Sequence, residues 1–66
     1  MIGFLMTRGI LYWKREAVTQ GGELFGRAWV IEADGTERPI NGGDPISRAE
    51  AIRLAEAGEY TLDAEA

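Results

Sequence analysis

Apolar and polar positions set three kinds of spacing along this chain, and each predicts an element. From Leu24 to Ile40 the sequence is LFGRAWVIEADGTERPI: an apolar run, a turn signal and a second short run. Leu24 to Ala33 reads as a central strand rich in β-formers. Phe25, Trp29 and Ile31 share one side with Arg27 between them, while Leu24, Gly26, Ala28 and Val30 share the other. Both sides are largely apolar, which fits a strand covered on both faces or a strand with a helix on its small-residue side. The pattern leaves open which side meets a helix. Asp34-Gly35 is a strong hairpin signal, because Gly accepts the positive φ of a tight turn. Thr36 to Ile40 then returns as a short strand, placed at an edge because Pro39 has no ladder donor.

Upstream, GILYWKREAV over Gly9–Val18 predicts the first strand. Leu11, Trp13, Arg15 and Ala17 fall on the better core face, with Trp13 the largest. Thr19-Gln20-Gly21-Gly22 is a turn. Asn41 to Pro45 is a second dense cluster of turn residues and leads into a helix. Ser47 to Ala57 has helical spacing: Ser47 as N-cap, Glu50 three later as a capping box, and Ile46 poised to staple onto Ala51. Ala51, Ile52, Leu54 and Ala55 form one apolar arc, and Glu50, Arg53 and Glu56 lie opposite. Gly58 is the expected C′ residue. Glu59 to Leu62 reads as a last short strand, and Asp63 to Ala66 as a fraying tail. There is no internal repeat. The fold class expected is α+β: a small antiparallel sheet of three to four strands with one α-helix packed on one face.

Composition tightens this picture. With 66 residues the chain is one domain with a thin core, since such a domain buries only about 60% of its unfolded surface. It has no Cys and no His, so disulfides cannot reinforce it and a structural zinc site is close to excluded. The N-terminal MIGFLM is too short to span a bilayer and lacks signal-peptide organisation. Met6-Thr7-Arg8 also reads as a natural start, which makes residues 1–6 a candidate loose extension. A cytoplasmic location is expected.

These features also limit the chemistry. No His or Cys is present as a base or nucleophile, and Ser47 is better explained as a cap. The carboxylate pairs Glu32 with Asp34 and Glu56 with Glu59 sit in a turn and at a helix end, where water reaches them, whereas acid–base work calls for a pair in unequal, buried surroundings. Gly21-Gly22 and Gly42-Gly43 lack the surroundings of a phosphate loop. Asp44 has no regular series of oxygen ligands around it for calcium. The expectation is a non-enzyme without metal or cofactor.

Charge is uneven. Residues 1–30 carry Arg8, Lys14, Arg15 and Arg27 against Glu16 and Glu23, a net of +2, whereas residues 31–66 carry three arginines against nine acids, a net of −6. Tyr12-Trp13-Lys14-Arg15, with Arg27 and Trp29 on the neighbouring strand, mixes stacking faces and cations as small β-sheet readers of nucleic acid do. The competing reading places Trp13 and Trp29 at the centre of the core, and the overall charge of −4 repels phosphate. The acidic half is either a solubilising surface or a patch that docks onto a basic partner. Glu50, Glu56, Glu59 and Asp63 lie in one short segment and are the candidate partner-binding residues.

In size, acidity and lack of catalytic residues, the whole chain resembles the small phage-encoded inhibitors, anti-CRISPR proteins among them. The resemblance is one of general character and rests on no diagnostic motif. It implies a non-enzymatic protein that blocks a basic, nucleic-acid-handling partner in a host cytoplasm, acting as a monomer or weak homo-oligomer. The alternative is a nucleic-acid-binding module using the aromatic and basic residues of the first two strands.

Overall fold

The structure, a computed structural model, describes residues 8–65. The candidate extension over residues 1–6 lies outside the described residues, as does Ala66. The chain is α+β, as the spacing predicts, with one α-helix on one face of a single sheet among the described residues. Strands β1 (Gly9–Val18) and β2 (Leu24–Glu32) form its long central hairpin. β3 (Glu37–Pro39) pairs antiparallel with β2, as does the two-residue β4 (Ile46–Ser47) further along the same edge. Helix α1 (Arg48–Gly58) crosses the sheet and delivers β5 (Thr61–Glu65) to the far side of β1.

Two expectations are refined by this topology. The sheet has five strands rather than three to four, and β5 runs parallel to β1. A parallel neighbour needs a crossover, and the helix supplies it. The expected frayed tail is also corrected: Asp63 to Glu65 belong to β5 and pair with Tyr12 to Lys14. Their backbone groups gain ladder partners that a free tail would have to find in water.

Alternation along β1 and β2 divides the sheet into two faces. Leu11, Trp13, Ala28 and Val30 point at the helix and are buried with Ile46, Ala51 and Ala55. Leu24, Ile40, Leu54, Tyr60, Leu62 and Ala64 pack around this cluster. The Trp13 indole N–H donates to the Ile46 carbonyl at 3.2 Å, so the largest core side chain also ties β1 to β4. The small-residue side of β2 therefore meets the helix. Trp29 is on the other side and only half-buried, which corrects its expected place at the core's centre. Gly26 is needed where β1 comes closest. A Cβ there would lie 1.9 Å from the Lys14 carbonyl oxygen, beside the bulge that shifts the register between Arg15 and Ala17.

The helix starts as its sequence predicts. Ser47 is the N-cap, and its hydroxyl accepts from the Glu50 N–H at 3.0 Å. The reciprocal half of the capping box is not made, because the Glu50 carboxylate pairs with Arg53. The C-terminus falls one residue later than expected. Gly58 stays helical, with the Tyr60 ring 2.8 Å from where a Cβ would sit, and the left-handed residue is Glu59 at φ 60°. The Tyr60 N–H then closes onto the Ala55 carbonyl at 2.8 Å.

Candidate interaction face

Among the described residues, one face of the sheet carries no helix. The pairing register lays its residues out in rows from β3 to β5. The first row is Glu37, Ile31, Ile10 and Thr61; the second is Pro39, Trp29, Tyr12 and Asp63. Lys14 stands opposite Arg27 in the next row of the central pair. The period of two along each strand puts all these side chains on the same side. The middle of the face is apolar, and its outer strands bring the acids Glu37 and Asp63.

Tyr12 and Trp29 form the centre. Their rings stack with centroids 5.5 Å apart and planes 17° from parallel. Such a cross-strand aromatic pair stabilises the hairpin that holds it. Ile10 and Ile31 lie beside the pair and are, like it, only half-buried. Beyond Lys14 the hairpin carries Arg27, tied to Glu16 at 2.9 Å with both side chains well exposed. Tyr12, Trp13, Lys14, Trp29 and Asp63 line a recess of about 270 Å³.

The four candidate acids do not share one surface. Glu56 is exposed on the outer side of α1, and Glu50 is half-exposed beside it, with its charge engaged by Arg53. Glu59 is exposed at the helix C-cap. Asp63 stands on the opposite side of the sheet, next to Tyr12. Their closeness in sequence failed to survive folding because the chain passes from helix to strand between Glu59 and Asp63. The signal that could have placed Asp63 is its phase in the last strand: it lies one residue from each of Leu62 and Ala64, which pack against the core, and so points to the other face.

A second polar cluster joins the ends of the sheet and helix. Tyr60 donates its hydroxyl hydrogen to Glu32 Oε2 at 2.7 Å, and Arg38 reaches both Tyr60 (3.1 Å) and Glu32 (3.4 Å). The Tyr60 and Glu32 contacts raise the guanidinium pKa of Arg38 still further. The Arg8 guanidinium lies 5.1 Å from the centre of the Tyr60 ring. Tyr60 thereby joins β2, β3 and the helix exit, a structural role that needs no substrate. Among the described residues there is no group of His, Cys, Asp or Glu able to hold a metal ion, and no helix long and apolar enough to cross a membrane.

Comparison with protein-family models, curated proteins and solved structures yields no match to this chain.

Proposed function

We propose that the protein is a small non-enzymatic binding protein that occupies a basic surface of another protein, in the manner of the phage-encoded inhibitors it resembles. The observation that carries this reading is the stacked Tyr12–Trp29 pair at the centre of the sheet face that no described helix covers. A central Tyr and Trp ringed by charged residues is the anatomy of an interface hot spot. The charges of the outer strands suit a partner with cations around an apolar recess: Glu37 lies on one side of the aromatic pair and Asp63 on the other. The net charge of −4 favours approach to such a partner. Basic protein surfaces of this kind are typically those that handle nucleic acid, so blocking one is an economical function for a protein of this size. The protein would work in the cytoplasm, as a monomer or weak homo-oligomer, with no cofactor.

One observation favours a second reading. Trp29 is on the surface with Tyr12, and Lys14 and Arg27 stand beside them, so bases could stack here while cations meet phosphates. Against it, Arg27 is already paired with Glu16, and Asp63 faces the same recess. Capture from nuclease-treated host lysate separates the two. A partner retained after nuclease digestion, weakened by salt and lost with Trp29→Ala supports protein docking. Tight binding of a labelled single-stranded oligonucleotide, lost with the same variant, supports the second reading instead.

A further inference from the structure

We infer that the recess between Tyr12 and Asp63 is a receptor for an arginine side chain of the partner, an inference that rests on the docking face proposed above. Tyr12 stands between Trp29 on β2 and Asp63 on β5. One side of its ring is taken by Trp29, whose plane lies 17° from its own. The strand on the other side of Tyr12 is β5, where Asp63 is the directly opposed residue. The resulting recess of about 270 Å³ is lined by both, and it offers a π face and a carboxylate together.

A guanidinium fits that combination better than other groups. It is planar, so it can lie against the Tyr12 ring while its edge N–H groups donate to the Asp63 carboxylate. A lysine ammonium offers the charge without the flat surface and is more strongly hydrated. A phosphate meets Asp63 as a like charge. Lys14 also lines the recess and opposes any incoming cation. Its ammonium is on a long flexible stem and exposed, so it can swing toward water, whereas Tyr12 and Asp63 are set by paired strands.

The test uses the full chain with a labelled oligo-arginine peptide and an oligo-lysine peptide of equal length, read by anisotropy. Oligo-arginine is expected to bind about fivefold or more tightly than oligo-lysine. That preference should vanish in Asp63→Asn and Tyr12→Leu and persist in Glu56→Gln, which removes an acid from the helix side. Equal affinity for the two peptides, or a preference that survives both recess variants, overturns the inference. So does binding of labelled oligodeoxythymidine to the chain alone that is lost with Tyr12→Leu and unaffected by Asp63→Asn. Partner capture distinguishes this failure from failure of the docking face. Capture lost with Trp29→Ala but unchanged with Asp63→Asn removes the arginine receptor and leaves the face; capture unchanged by both removes the face as well.

Discussion

At the scale of single residues, Trp13 and Trp29 show how one alternating pattern assigns opposite roles to the same side chain. Trp13 is 1% exposed and hydrogen-bonded inside the core. Trp13→Ala should therefore cost about 3–5 kcal/mol, a large part of the stability of so small a domain. Trp29 loses chiefly its stacking with Tyr12, so Trp29→Ala should cost no more than about 2 kcal/mol. Urea denaturation of both variants checks the difference, and equal losses would place Trp29 in the core after all. Gly35 is a second residue with a single defined task. The turn closes from the Gly35 N–H to the Glu32 carbonyl at 2.9 Å, and Gly35 has φ +93°. Gly35→Val should lower stability by about 1–3 kcal/mol, because a β-branched residue resists that conformation; an unchanged thermal midpoint would contradict this. Asp34 supports the same turn by accepting from the Thr36 N–H at 2.9 Å. That backbone hydrogen bond, then one to the Thr36 side chain, holds the Asp34 carboxyl below its ordinary pKa. The folded-state value being the lower one, this stabilisation is present above the ordinary carboxylate range and is lost as pH falls through the depressed value.

At the scale of elements, what the sequence made legible was local. The first strand, the capped helix start and the hairpin each carry their signal within a few residues: alternation around Trp13, Ser47 three before Glu50, Gly35 after Asp34. Ser47→Ala should accordingly cost about 1 kcal/mol, measured by thermal melts against Ser47→Asp, which keeps an acceptor and should retain most of the stability. What was not legible depended on distant partners. β4 has only two residues and exists because Ile46 and Ser47 meet Gly26 and Phe25. β5 pairs with a strand about fifty residues earlier in the chain, and no local feature of Thr61 to Glu65 specifies a parallel neighbour. The choice of the helix-facing side of β2 was equally hidden. Both sides are apolar, and the small side won because Ala28 and Val30 sit under Ala51 and Ala55 in one close-packed layer. Once that choice is made, Phe25, Trp29 and Ile31 must face outward, and the candidate face follows from it.

At the scale of the whole molecule, the acids and the aromatic pair make separable contributions to partner binding. Glu50, Glu56 and Glu59 lie on the helix side and Asp63 on the open face, so the four cannot act as one contact patch on a flat partner. The three helix-side acids still contribute to the long-range field that steers encounter, which is screened over about 8–10 Å at ordinary ionic strength. Replacing Glu50, Glu56 and Glu59 together by Gln should leave the fold intact, since exposed substitutions usually shift stability by no more than about 0.5 kcal/mol each. Glu50→Gln alone is the control for the helix start, because its N–H, rather than its carboxylate, meets Ser47. The triple variant should slow association and flatten its salt dependence while changing the dissociation rate by less than about twofold. Trp29→Ala should do the reverse, raising the dissociation rate about tenfold or more, as expected for a central aromatic anchor. Surface-immobilised protein and the captured partner, followed at several salt concentrations, give both rates. A dissociation rate set by the three glutamates and indifferent to Trp29 would move the contact from the sheet to the helix side.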